Sequence, residues 1–141
     1  MSQQYTLSFE VFPPKTDAGA ANLLLELNKL SAFRPDYISV TYGAGGSTRE
    51  KTLEIARKIK DRGNEVLVHF TCVGASKTQI AEYLSRVHDA GFNNILALRG
   101  DPPRDALNFV PHPDGFAYAN ELVTFLKERG DFHISVAGYP E

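Results

Sequence analysis

The 141-residue sequence lacks most features that mark secreted, membrane or nucleic-acid-binding proteins. Its single cysteine, Cys72, excludes an intrachain disulfide and a cysteine metal cluster, and fits a reducing cytoplasm best. No apolar run approaches the ~20 residues of a membrane span, and the first residues lack the basic and apolar stretches of a signal peptide. The net charge of −2 predicts no broad attraction to nucleic acid or to an anionic membrane.

The sequence does contain a regular alternation of two hydrophobic patterns. Runs rich in β-branched and aromatic residues predict strands at 5–12, 37–42, 66–73, 95–98 and 132–137. Apolar residues at helical spacing predict helices at 16–33, from 47 to about 63, 76–91 and about 116–129; Ser47 and Ser76 each begin a capping box. Five strands alternating with four helices predict an α/β fold of parallel (β/α) repeats with right-handed crossovers.

Polar residues lie close to the carboxyl end of each predicted strand. They are Glu10, Thr41, His69, Arg99 with Asp101, and Tyr139. The first four follow one another at intervals of 31, 28 and 30 residues. Because the carboxyl ends of parallel strands share one rim, where ligands bind in such folds, this spacing predicts a site at the rim. The alternative is that strands simply end in polar residues where they meet solvent.

Glu10 lies in the run SFEVFPPK, where apolar residues surround a carboxylate. The two prolines end the strand, and strand alternation puts Glu10 and Phe12 on one face and Phe9 and Val11 on the other. An acid in apolar surroundings fits a general acid. A solvated edge glutamate, or one paired with an arginine, explains the sequence equally well.

The other polar motifs are weaker or ambiguous when each is taken alone. The glycine-rich turn 42–47 is neither a P-loop nor a dinucleotide fingerprint, and a tight turn explains it nearly as well as a ligand does. His69 by itself is more often a core histidine than a functional one. The remaining histidines have no partners at metal-ligand spacing, so no metal site is predicted.

The stretch LRGDPP is the most informative motif, because it places a cation, a glycine and an anion (Arg99, Gly100 and Asp101) at the end of a strand before two rigid prolines. A structural pair of Arg99 with Asp101 is the alternative to a ligand site. Further on, Asp114 is a good helix N-cap, which would place Tyr118 and Ala119 in the first helical turn. Backbone N–H groups there would be available to a phosphate.

Taken together, these motifs resemble the methylenetetrahydrofolate reductase family. The resemblance covers nearly the whole chain through SFEVFPPK, VTYGAGGSTREKT, HFTC, LALRGDPP and SVAGYPE, in the order and spacing of that family. It implies a TIM-barrel type (β/α)8 fold that binds FAD at its carboxyl-terminal rim. It also implies that NADH or NADPH reduces the flavin, which then reduces 5,10-methylenetetrahydrofolate to 5-methyltetrahydrofolate.

The resemblance also implies roles for individual residues. Glu10 matches the family's general acid, which protonates folate N10 so that the five-membered ring opens to an iminium ion. Asp101 matches the acid near the flavin that stabilises this cation. The positions that match the flavin pocket are Thr41, His69, Arg99, Gly100, Asp101, Tyr118, Ala119, Ala137 and Tyr139.

The length of the chain departs from the family pattern, since a closed barrel usually needs ~250 residues. We therefore expect residues 1–141 to be one domain, the amino-terminal part of a barrel with only about five strands and four helices. Such a part is either a fragment of a longer gene product or completes itself as a homo-oligomer. A non-catalytic half-barrel that serves in binding or assembly remains the alternative function; a folate- or corrinoid-linked methyltransferase fits Glu10 and Asp101 less well.

Overall fold

The computed structural model of the chain describes residues 5–42, 49–101 and 110–138. Nine elements alternate along it: β1 (Ser8–Val11), α1 (Asp17–Ser31), β2 (Tyr37–Val40), α2 (Arg49–Lys60), β3 (Val66–Thr71), α3 (Lys77–Asp89), β4 (Asn94–Leu98), α4 (Ala119–Lys127) and β5 (His133–Val136). None of the helices in these ranges has the length and apolarity that crossing a bilayer requires.

The five strands form one parallel sheet in the order β1-β2-β3-β4-β5. Each strand pairs with the next one along the chain, whereas an open doubly wound sheet reverses its order partway. The sequential order is that of a TIM-barrel type fold, and the prediction of five parallel strands and four helices is confirmed. The sheet is therefore built like part of a barrel wall.

Local sequence signals account for the beginnings and ends of the helices. Thr16 caps α1, since its hydroxyl accepts a bond from the N–H of Gly19 at 3.1 Å. The predicted capping box of α3 is confirmed: Ser76 and Gln79 each bind the other's backbone N–H with a side-chain oxygen. The box predicted at Ser47 falls partly outside the described residues.

The fourth helix begins later than its sequence predicts, at Ala119 rather than near Phe116. Phe116 is buried against Phe125, with ring centroids 5.1 Å apart, and this packing holds the preceding chain in a non-helical path. Asp114 is therefore not the N-cap, and its carbonyl instead accepts a bond from the N–H of Lys77 at 2.8 Å. The segment before α4 is thus fastened to the start of α3.

The hydrophobic core lies between the sheet and the helices. Strand residues on that outer face are fully buried, as are the helix residues that meet them: Ile38, Val40, Val68, Phe70, Ile95, Leu53, Ile59, Ile80 and Leu122. Each such side chain stabilises the fold by about 1.5–3 kcal/mol. The other face of the sheet, which we call the inner face, carries polar side chains and is not covered by the described helices.

A cluster of aromatic and cationic side chains joins β2, α2 and α3 on the outer face. Arg49 donates to the hydroxyl of Tyr42, and its guanidinium lies 5.6 Å from the centre of the Tyr83 ring. The hydroxyl of Tyr83 donates to the carbonyl of Arg49 at 3.1 Å. Burial raises the pKa of both tyrosines against the lowering effect of Arg49, so both hydroxyls remain neutral, Tyr42 as an acceptor and Tyr83 as a donor. The cluster holds the beginning of α2 against the end of β2.

Candidate functional site

Three polar side chains from neighbouring strands meet on the inner face of the sheet. The register pairs Glu10 of β1 with Ser39 of β2, and the Ser39 hydroxyl donates to Glu10 Oε2 at 3.4 Å. His69 of β3 brings its Nε2 to 3.2 Å from the same oxygen. We call Glu10, Ser39 and His69 the inner-face cluster. It unites two residues that the sequence singled out, Glu10 and His69, with a third that it did not.

The surroundings of Glu10 differ from the apolar ones that its sequence predicts. Its side chain is 49% exposed, and its closest partners are a hydroxyl and an imidazole. The difference arises because strand alternation turns Phe9 and Val11 to the opposite face, where Val11 enters the core. Glu10 is thus a half-exposed acid with polar partners.

His69 is the buried member of the cluster, at 8% exposure. Desolvation lowers the pKa of its imidazole, and the nearby charge of Glu10 opposes this only in part, so the ring is neutral at neutral pH. The contact of Nε2 with Glu10 has the distance of a polar interaction but not the alignment of a hydrogen bond. Among the described residues, Nε2 of His69 is therefore left without a hydrogen-bond partner.

A cavity of about 570 Å³ opens at the carboxyl ends of β4 and β5, beside the start of α4. We call it the rim cavity. Six of the nine residues that match the flavin pocket line it: Arg99, Gly100, Asp101, Tyr118, Ala119 and Ala137. Ala97, Leu98 and Val136 complete its wall. Its volume lies within the usual range of ~300–1,000 Å³ for ligand sites.

Gly100 shapes the rim cavity through its backbone. Its φ of +86° is rarely adopted by other residues, and an added Cβ would lie 2.6 Å from Val73 Cγ1 and 2.9 Å from Thr71 Cβ. The glycine thus lets the turn after β4 pack tightly on the end of β3. The carbonyl of Arg99 is held there too, since the N–H of Val73 donates to it at 3.0 Å.

The wall formed by the start of α4 is fixed by a carboxylate. Glu121 Oε2 accepts bonds from the backbone N–H groups of Ala117 at 2.8 Å and Tyr118 at 2.9 Å. The expectation that the Tyr118 N–H is available to a phosphate is therefore wrong, because Glu121 already occupies it with a negative charge. Tyr118 itself is exposed at the mouth of the cavity.

The remaining predicted residues lie apart from the rim cavity or cannot be placed. Thr41 follows β2, and its carbonyl accepts a bond from the Thr52 hydroxyl at 3.1 Å. Glu10 and His69 belong to the inner-face cluster. Tyr139 lies outside the described residues. The structure thus separates the predicted site into a cluster on β1–β3 and a cavity at β4, β5 and α4.

Ser39 is the residue that sequence reasoning missed. It lies 29 residues after Glu10, close to the repeat length that connects the other strand-end residues. It also alternates with Ile38 and Val40, which marks it as facing away from the core. Spacing and alternation thus both point to Ser39, although Thr41 lies nearer the carboxyl end of the strand.

A second hollow, of about 270 Å³, lies at the opposite, amino-terminal end of the strands. Asp36, Glu65, Asn94 and His133 are among the residues that line it. Ligand sites of parallel (β/α) folds lie at the carboxyl ends of the strands, so we assign the candidate site to the inner-face cluster and the rim cavity.

A family model described as methylenetetrahydrofolate reductase matches residues 1–141, the whole chain. The chain belongs to the methylenetetrahydrofolate reductase family. The prediction made from the motifs is thereby confirmed at the level of the family.

Individual members of the methylenetetrahydrofolate reductase family agree with this assignment. A 5,10-methylenetetrahydrofolate reductase of Pectobacterium carotovorum is 43% identical over 136 residues, which cover 96% of this chain and 44% of that protein. That of Escherichia coli is 41% identical over 139 residues, covering 98% and 45%. Methylenetetrahydrofolate reductase (NADH) 1 of Arabidopsis thaliana is 43% identical over 141 residues, covering 98% and 24%. The chain thus spans less than half the length of these bacterial relatives and about a quarter of the plant one.

Proposed function

We propose that the protein carries the catalytic rim of a flavin-dependent methylenetetrahydrofolate reductase, which uses NADH or NADPH to reduce 5,10-methylenetetrahydrofolate to 5-methyltetrahydrofolate in the cytoplasm. Membership of the family supports the folate substrate. The printed name of the Arabidopsis thaliana relative supports a nicotinamide reductant, since it includes NADH. Residues 1–141 would form one domain, the first part of a (β/α)8 barrel.

The observation that carries this proposal is the composition of the rim cavity. Four of its wall residues, Ala97, Gly100, Ala119 and Ala137, have at most one side-chain carbon, which leaves room for a flat ring against the backbone. Arg99 and Asp101 add one charge of each sign at the same wall. These residues fit FAD, which when bound would accept hydride from the nicotinamide and supply it to the folate.

Glu10 would act as the general acid of the folate half-reaction. Its exposed carboxyl lies on the inner face, where a substrate at the barrel mouth can reach it. Transfer of its proton to folate N10 lets the bond from that nitrogen to the one-carbon unit break. The bonding electrons stay on N10, and N5 becomes part of an iminium ion.

Asp101 would stabilise the positive charge of that iminium ion. It is exposed and lies at the mouth of the rim cavity, just beyond the carboxyl end of β4. A fixed carboxylate beside a developing cation lowers the energy of the transition state without having to reorganise. The acid and the stabilising anion would then come from β1 and from the segment just after β4, three strands apart in the described sheet.

Flavin retention by the purified chain tests the proposal. After incubation with FAD and desalting, the protein should be yellow and should oxidise NADH or NADPH with menadione as acceptor. Ala137→Leu places a larger side chain at the cavity wall and should abolish retention, whereas Ala18→Leu on the exposed surface of α1 should not. A folded wild-type chain that stays colourless contradicts the proposal.

The second candidate is a non-catalytic half-barrel that assembles with further copies. Within the described residues, β1 and β5 each pair with only one strand, and Phe12 and Val136 beside these edges are 67% and 60% exposed. Unpaired edges of this kind favour association. Analytical ultracentrifugation of the colourless chain would support this reading if it showed a discrete oligomer, whereas a yellow, active monomer would exclude it.

A further inference from the structure

The two polar contacts of Glu10 converge on a single carboxylate oxygen. Ser39 Oγ lies 3.4 Å and His69 Nε2 lies 3.2 Å from Oε2. Among the described residues, no hydrogen bond or ion pair is formed by the other oxygen, Oε1. The carboxyl group is therefore held from one side only.

The partners of the acid are more rigidly placed than the acid itself. Ser39 and His69 are 6% and 8% exposed and belong to central strands, whereas the Glu10 side chain is 49% exposed. The strand register sets Ser39 directly beside Glu10. Two buried groups thus form a fixed support beneath a projecting carboxyl.

A neutral His69 is compatible with a neighbouring Glu10 that must carry a proton. Because burial keeps the imidazole neutral, an Nε2–H group that turns into line with Oε2, which lies 3.2 Å away, can donate to it without adding a positive charge. A charged imidazolium would instead favour the ionised carboxylate, which has no proton to give. Ser39 contributes a second neutral donor.

We propose that Ser39 and His69 are positioning residues for Glu10, which donate to Oε2 and leave Oε1 as the oxygen that delivers the proton. This inference rests on the proposed function, in which Glu10 is the acid. The O–H bond at Oε1 breaks, the N10–H bond forms, and the electron pair remains on the carboxylate. The two donors then stabilise its charge at Oε2, and both contacts shorten as the charge develops.

Imidazole nitrogen NMR of the full chain tests the interaction of His69 with Glu10 without requiring catalytic activity. With ¹⁵N-labelled histidine, the His69 resonances are identified as those lost in His69→Gln. At pH 7.5 we expect a neutral ring with its hydrogen on Nε2, and a shift of that resonance in Glu10→Ala. A hydrogen on Nδ1, a doubly protonated ring, or no response to Glu10→Ala would overturn the inference.

Kinetics of the flavin-loaded chain test the positioning role. Ser39→Ala should slow the maximal rate of the folate half-reaction about tenfold, as expected for a lost hydrogen bond to a charged group, with KM and the rate of flavin reduction by NAD(P)H unchanged. Ser39→Thr, which keeps the hydroxyl, should restore the rate. Ser135→Ala removes a serine hydroxyl from strand β5 instead, where the register connects it through Leu96 to His69, and should have no effect.

The two tests separate failure of this inference from failure of the proposed function. A change in KM alone, an equal loss in both half-reactions, or no rescue by Ser39→Thr would overturn the positioning role while the enzyme remains a reductase. A chain without reductase activity would overturn the proposed function, and the NMR result would still decide whether Ser39 and His69 support Glu10 as described.

Discussion

The two halves of the candidate site, the inner-face cluster and the rim cavity, differ in the parts of the chain that form them. The inner-face cluster on β1–β3 consists of side chains that contact one another, Glu10 with Ser39 and His69. The rim cavity at β4, β5 and α4 owes part of its space to residues with little or no side chain, such as Gly100 and Ala137, which let the backbone form the wall. We infer that the first region is suited to moving a proton and the second to binding a flat cofactor.

This contrast indicates how each half responds to substitution. A change of functional group in the cluster removes chemistry but leaves the shape of the sheet intact, because Glu10 projects from the uncovered face. An added carbon in the cavity wall changes shape first, because its turns are closely packed. Substitutions in each half, and outside both, therefore test that difference.

Glu10→Gln should separate the two halves most clearly. The amide cannot deliver the proton, so the folate half-reaction should slow by about 10²–10⁴-fold. Flavin binding and flavin reduction by NAD(P)H should persist, because both depend on the rim cavity. Stopped-flow absorbance of the two half-reactions measures this, with Glu82→Gln on the surface of α3 as the control. Equal loss in both half-reactions would contradict the role of Glu10.

Gly100→Ala should damage the cavity half while sparing the cluster. The substitution combines an unfavourable positive φ with a clash against Val73 and Thr71, and should lower the free energy of unfolding by about 3 kcal/mol. Gly74→Ala is the matched control, since Gly74 has a φ of +66° but nothing within 4 Å of the added Cβ. It should cost only about 1 kcal/mol. Urea denaturation curves that show equal losses would refute the packing argument.

Tyr83→Phe should lower the free energy of unfolding without selectively impairing the inner-face cluster or the rim cavity. It removes the bond from the Tyr83 hydroxyl to the carbonyl of Arg49, and a buried bond of this kind contributes about 1 kcal/mol. Tyr37→Phe on the other face of the sheet serves as a comparison. Thermal unfolding should detect the loss, while flavin retention should be unchanged. A selective loss of flavin binding would show that the contacts among Tyr42, Arg49 and Tyr83 also affect the shape of the rim cavity.

The titration of His69 should produce the smallest effect and refine the description of the cluster. Because burial lowers the pKa of His69 in the folded chain, the unfolded chain binds its proton first as the pH falls below about 6.5. Stability should therefore decrease as the pH falls through the unfolded pKa towards the folded one. His69→Gln should flatten this decrease, as measured by urea midpoints between pH 8 and 5.

Glu10→Gln sharpens the same experiment, because it removes the charge that raises the pKa of His69. The His69 pKa should then fall further below its ordinary value. NMR titration of the imidazole measures this directly. An unchanged or higher His69 pKa in Glu10→Gln would mean that the two side chains do not interact electrostatically.

Sequence reasoning predicted the fold class because its signals are local. The period-2 and helical patterns, the Ser76 capping box and the alternation of elements each depend on residues close together in the chain. It failed at the start of α4, where Asp114 is a residue type that is favoured at the N-cap position of helices. There the burial of Phe116 against Phe125, a contact within the folded core, overrides the local preference.

Residue patterns along the chain were enough to predict the parallel (β/α) architecture, the family, and an acid and an Arg-Gly-Asp stretch at strand ends. The folded structure was needed to show that Ser39 and His69 meet Glu10 at one oxygen, and that the packing of Thr71 and Val73 requires a glycine at position 100. The difference arises from the register of the strands. Hydrophobic patterning fixes which face a side chain occupies, but contacts of a few ångströms between distant strands depend on how those strands align and pack.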